Sequence, residues 1–145
     1  MTTVLVDTSV LIKWFHHEGE SEVSEARALR DATTRGDVES RIIDLALYEM
    51  GNVLSRSLGW PGTAVADQLA DIVTVCGAPL ALGLDWHRWA AIVGHRHGLT
   101  FYDAAWAAAA EALDVALVSA DDRLLGAGLA ESPADAARRL RLPLA

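Results

Sequence analysis

Four carboxylates stand where this chain could do chemistry. Asp7 closes the apolar run TVLVD, and Asp121 follows the apolar run VALVSA. Glu49 sits inside the largely apolar stretch ALYEMGNVL, and Asp103 opens the alanine-rich stretch TFYDAAWAAAAEALD. Carboxylates brought together repel one another until something neutralises them. A hard divalent cation does so with oxygen ligands, and Mg²⁺ prefers a few carboxylates plus water and phosphate. Such a centre activates water and stabilises an in-line displacement at phosphorus. The single cysteine, Cys76, offers no thiolate cluster for a softer metal.

Each acid also has an ordinary structural role. Asp7 could cap a helix beginning at Thr8, and Asp121 or Asp122 could cap another. Asp103 in a helix first turn complements the macrodipole. Glu49 is harder to explain this way, because its neighbours read as buried and an unpaired buried carboxylate is costly. The four together are far more specific than any one of them.

The elements that must position these residues alternate. Short apolar runs at 3–7, 41–45, 79–83 and 115–120 read as strands. Between them lie helical patterns. One starts near Thr8 or Ser9, and one opens at Ser21 or Glu22 and closes near Gly36. Another carries Leu45, Tyr48, Glu49, Asn52 and Val53 at helical steps and ends at Gly59. Pro61 suits the first turn of a helix running to about Gly77. Asp85 reads as the cap of a helix that stops at Gly98, and Thr100 as the cap of the alanine-rich one. Short helices are expected at Asp121 or Asp122 and near the C-terminus. This alternation predicts an α/β domain with a mostly parallel sheet of four or five strands flanked by helices. In such sheets ligands collect beyond the carboxyl ends of the strands, where Asp7 and Asp121 fall.

The bulk numbers agree with one domain over residues 1–145. Hydrophobic residues make up 52% and mean hydropathy is +0.22, a surplus that suits a covered partner surface. No apolar run reaches the roughly 18 to 20 residues a membrane span needs. The N-terminus lacks the basic and apolar regions of a secretory signal, and the lone cysteine excludes an internal disulfide, so the cytosol is the expected compartment. Net charge is −8, from 20 acidic and 12 basic residues. That balance argues against tight nonspecific nucleic-acid binding by the bare chain.

Other residues were weighed for chemistry. His16–His17 and His95–His97 invite a metal reading, but His95 and His97 point to different faces of a helix, and a surface or helix-end role is favoured. The tryptophans could stack on bases, though packing suits most of them. Trp14 and Phe15 are the best candidates for a dimer or partner-protein surface. Lys13 and Arg123 lie near the acidic edge in sequence and could touch phosphate; a solvated charge is the plainer alternative.

The motifs VDTSVLI, ALYEMGNVL, LTFYDAAWAAAAEAL and LVSADDRLL, in this order, resemble those of PIN-domain ribonucleases, in particular VapC-like toxins of bacterial toxin–antitoxin pairs. The likeness spans nearly the whole chain, with Ser119 where the family's closing motif carries threonine. It implies a PIN-like three-layer sandwich and Mg²⁺- or Mn²⁺-dependent cleavage of RNA. It also implies homodimerisation and inhibition by a cognate antitoxin. It assigns catalytic roles to Asp7, Glu49, Asp103 and Asp121 and metal ligation to Asp7, Asp103 and Asp121. Ser9 and Ser119 would orient the site through their hydroxyls, and Asp122 is a possible supporting acid. A haloacid-dehalogenase-like phosphotransferase would need a second aspartate two residues after the first, where Ser9 stands. A receiver-like domain would need a late lysine, and Lys13 is the only lysine. A PIN-like module that only binds RNA or a protein partner is the remaining rival.

Overall fold

The computed structural model describes residues 1–144. Three parallel strands form its sheet: β1 (Thr2–Val6), β2 (Val38–Arg41) and β3 (Ala116–Val118), in the order β2-β1-β3. Val4, Leu5 and Val6 of the central strand are fully buried, so both faces of the sheet are covered. Eight α-helices flank it: α1 (Thr8–Leu11), α2 (Val23–Arg35), α3 (Leu45–Asn52), α4 (Gly62–Cys76), α5 (Leu84–His97), α6 (Phe101–Leu113), α7 (Asp122–Gly126) and α8 (Pro133–Arg139). No helix among the described residues is long and apolar enough to cross a membrane.

The strand count is three, where the sequence predicts four or five. The expected strand at 79–83 is reduced to a single bridge, Leu80 to Ile43. Pro79 lacks the N–H that would carry the ladder further, and α5 begins at Leu84. A matching single bridge joins Glu131 to Val118 at the other edge, before Pro133 opens α8. The second strand also falls earlier than its apolar run predicts. The polar segment VESR pairs with β1, in the register Thr2↔Val38 to Leu5↔Arg41. It alternates, with Val38 and Ser40 buried and Glu39 and Arg41 half-buried. Its polar groups find partners: Ser40 and Thr33 hydroxyls share a hydrogen bond of 2.7 Å, and Thr3 donates to Glu39 at 3.0 Å. Ile42 and Ile43, read as strand, are fully buried in the connection to α3.

Helix boundaries follow local chemistry. Gly36 and Gly98 close α2 and α5 in the left-handed region, at φ 84° and 64°. Thr100 caps α6, accepting from the Asp103 N–H at 3.1 Å. Gly83, not Asp85, is the cap of α5, and Asp85 lies in its first turn. The helix containing Glu49 is not uniform: after Asn52 it widens into a π-helical turn over Val53–Ser57. Helices α5 and α6 pack closely because small residues face each other. A Cβ on Gly94 would stand 3.2 Å from that of Ala104. Ala104, Ala108 and Ala109 are fully buried, as is the bulky Trp106.

Candidate active site

All four carboxylates open onto one cavity of about 360 Å³, lined by Asp7, Thr8, Ser9, Ile12, Glu20, Glu49, Val53, Asp103 and Asp121. Asp7 and Asp121 arrive there on the carboxyl ends of β1 and β3, which pair Val6 with Val118. Glu49 comes from α3 and Asp103 from the first turn of α6.

Asp7 is buried, and its carboxylate is anchored rather than free. Ser119 donates to Oδ2 at 2.6 Å and Ser9 to the same oxygen at 2.8 Å. The two serines are themselves 3.3 Å apart and accept from the Asp121 and Ala120 backbone N–H groups. Asp7 occupies the cap position of α1 yet makes no side-chain capping bond, so the ordinary explanation for it fails. Burial pushes its carboxyl up to about 6; the two hydroxyls oppose this, and the charges of Glu49 and Asp103 add to it. Asp103 is likewise raised, first by burial and then by Asp121, with Thr100 opposing, Glu49 adding and Arg123 opposing.

Asp121 caps a helix and also faces the cavity. Oδ1 caps α7, accepting from the N–H groups of Arg123 and Leu124 at 3.0 Å each. The carboxylate also lines the cavity. Asp122 does not: it is exposed in the first turn of α7 and is absent from the cavity lining.

Glu49 has two supports that sequence reasoning missed. Thr8 donates to its Oε1 at 2.9 Å and the Trp106 indole donates to the same oxygen at 3.0 Å. The signals were present in outline. Thr8 adjoins Asp7, and Trp106 lies three residues after Asp103 on the same face of α6. Glu20 was also missed; its loop gave no periodic signal.

Two expectations are corrected. Lys13 neither touches the acidic edge nor is solvated: it is 4% exposed, and its ammonium bonds Glu20 at 3.0 Å and the Ser21 carbonyl at 2.7 Å. Trp14 is buried and cannot present a partner surface, while half-buried Phe15 packs on Trp60 with ring centroids 5.9 Å apart. Arg123 is exposed and its charge reaches Asp103. His95 and His97 end α5, the terminus that favours cations. Burial pushes the Cys76 thiol up to about 12, which suits packing and not nucleophilic chemistry.

The donor set fits a hard cation in kind. It is all oxygen, and no lysine or arginine forms an ion pair with any of the four acids among the described residues. It is not a closed chelate as arranged: among the described residues no three acidic, histidine or cysteine side chains already stand as a metal-binding group. Asp7 Oδ2 is occupied by the two serines, and no hydrogen bond reaches Oδ1 among the described residues.

Known proteins give the context for this cavity. The PIN domain family profile matches residues 4–128. The crystal structure of PAE2754 from Pyrobaculum aerophilum is similar, with TM-score 0.69 and 26% identity over 97% of each chain. That of VapBC2 from Rickettsia felis, bound to a DNA fragment from their promoter, shares the fold with TM-score 0.65. Identity there is 12%, over 90% of this chain and 97% of that one. No curated protein matches. With the profile covering most of its length and both structures sharing its architecture, the chain belongs to the PIN-domain family.

Proposed function

We propose that this chain is a metal-dependent endoribonuclease, the toxin of a toxin–antitoxin pair working in the cytoplasm. PIN domains are generally nucleases. The observation that carries the finer reading is the cavity with four carboxylates and no fixed cation paired to them. Asp7, Asp103 and Asp121 are the residues to hold Mg²⁺, or Mn²⁺ in its place. The cation supplies positive charge against the phosphate and acidifies water.

The chain's own residues do the rest. Ser9 and Ser119 fix the Asp7 carboxylate, so the ligand does not have to be ordered when substrate arrives. Thr8 and Trp106 hold Glu49 by one oxygen, leaving the other to accept a proton from attacking water. No histidine lines the cavity to run the acid–base exchange typical of attack by the RNA 2′-hydroxyl. Water is therefore the nucleophile and the 3′-oxygen the leaving group.

The test is end chemistry on labelled RNA. Expected products carry 5′-phosphate and 3′-hydroxyl ends, need Mg²⁺ or Mn²⁺, vanish with chelator and are mostly lost in Asp7→Asn. Cyclic 2′,3′-phosphate ends, or full cleavage in excess chelator, would refute this reading.

Homodimerisation and antitoxin binding belong to the same proposal. Exposed Tyr48, Phe101 and Tyr102 line a second cleft of about 200 Å³, and Tyr48 and Tyr102 adjoin Glu49 and Asp103 in sequence. These side chains replace Trp14 as the supporting observation for a protein-covered face. The Rickettsia felis neighbour is a VapBC assembly, which fits an antitoxin partner. A monomer by light scattering at micromolar concentration would count against the dimer.

A further inference from the structure

Lys13 is the chain's one lysine, and it is buried. A buried ammonium is tolerated only when paired and hydrogen-bonded. Here it bonds Glu20 Oε1 at 3.0 Å and the Ser21 carbonyl at 2.7 Å. The lysine thus reaches from the 3-10 turn of Ile12–Trp14 to the loop before α2, and fastens Glu20 into the wall of the cavity that the four acids line.

Two observations set Glu20 apart from the other four acids. Its charge is matched by Lys13, whereas theirs have no ion-pair partner among the described residues. It is also not among the charges that raise Asp7 or Asp103. Unmatched carboxylates call for a cation. A matched one in the same cavity has no such need, and it repels phosphate oxygens. It is left to accept hydrogen bonds from neutral donors. Glu20 Oε2 receives no hydrogen bond among the described residues and is available for one. In RNA, the neutral donor beside each phosphate is the ribose 2′-hydroxyl, the group that distinguishes RNA from DNA.

We propose that Glu20, fastened by Lys13, accepts a hydrogen bond from the ribose 2′-hydroxyl beside the scissile phosphate and makes the cavity select RNA over DNA. The inference rests on the nuclease reading above. Lys13 is a positioning residue: it occupies Oε1 and leaves Oε2 to the substrate.

The experiment uses short random-sequence single strands, one pool of RNA and one of DNA, with the full chain in Mg²⁺. Cleavage is read as the RNA-to-DNA ratio of kcat/KM. Binding is read by fluorescence anisotropy in an Asp7→Asn background with chelator present, where turnover is negligible over the measurement. Wild type prefers RNA in both. Glu20→Ala lowers both ratios about tenfold, the size of one hydrogen bond to a charged group. Lys13→Met lowers them less, and the double variant is no worse than Glu20→Ala, since both act on one contact. Glu20→Gln retains an amide acceptor and serves as a gentler variant. Ratios that hold in Glu20→Ala and Glu20→Gln, with both variants melting like wild type, overturn the proposal. If wild type cuts neither pool, the nuclease reading fails and the anisotropy ratios alone decide the role of Glu20.

Discussion

Two charged regions of this molecule are built on opposite rules. At the corner formed by α8, each carboxylate has its own guanidinium. Arg139 Nε donates to Glu131 Oε2 at 3.0 Å, and Arg138 donates to Asp135 at 2.9 Å. Glu131 accordingly raises Arg139 further above its already high value. At the carboxyl ends of β1 and β3, carboxylates face carboxylates and are restrained only by hydroxyls, an indole and backbone N–H groups. The first arrangement is complete in itself. The second holds geometry without neutralising charge, and no ion pair matches its carboxylates among the described residues.

Asp7→Asn breaks the contrast hardest. It keeps the shape and the acceptor for the two serines while removing a ligand charge. Activity should fall by about 10² to 10³, the several kcal/mol a metal contributes to such a transition state. The same variant should melt higher than wild type when chelator is present. Because the folded carboxyl is raised to about 6, Asp7 favours the fold only while protonated, and that contribution is lost as pH rises through about 6. The Asn variant's advantage should therefore be near zero at about pH 4 and reach at most about 3 kcal/mol above about pH 7. A melt series across that range checks both sign and size; an advantage independent of pH would contradict it.

Mg²⁺ itself sharpens the contrast from the other side. At about a hundredfold excess over its Kd, bound cation should stabilise wild type by about 2.7 kcal/mol. Scanning calorimetry should show a much smaller shift in Asp7→Asn. Trp106→Phe should act more mildly: Glu49 keeps Thr8 but loses the indole, costing about tenfold in activity and about 1 to 2 kcal/mol in stability. Unchanged kcat there would mean that Thr8 alone orients Glu49. At the α8 corner, Arg139→Gln should cost under about 1 kcal/mol, because the pair is partly solvent-screened, and should leave cleavage untouched. Denaturant melts and the RNA assay read these two effects separately.

Which parts were legible in the sequence follows from how far each signal reaches. Asp7, Glu49, Asp103 and Asp121 were readable because each sits at a local junction, and the alternation of elements predicts that these junctions share an edge. Thr8 and Trp106 were not assigned to Glu49, because their hydrogen bonds span 41 and 57 residues. The strand at VESR was hidden because its buried polar residues are satisfied across the fold, by Thr33 and Thr3. The apolar pattern pointed instead at Ile42 and Ile43, which are buried without belonging to the ladder. Lys13 misled for a different reason: a lone lysine reads as solvated, and its partner Glu20, though close in sequence, lies in a loop without periodic signal.

The pairing of β1 with β3 has a consequence for synthesis. The central strand leaves the ribosome long before one of its neighbours, residues 116–118, and the Ser119–Asp7 bond spans 112 positions. Contacts so distant in sequence form late. Until that last segment emerges, one edge of β1 is bare and Asp7 has neither Ser119 nor Asp121 beside it. A nascent chain, or any fragment ending before β3, is therefore without its complete carboxylate edge and exposes a strand open to mispairing. Such an intermediate lacks the assembled cavity, and its bare strand edge is the place where aggregation would start.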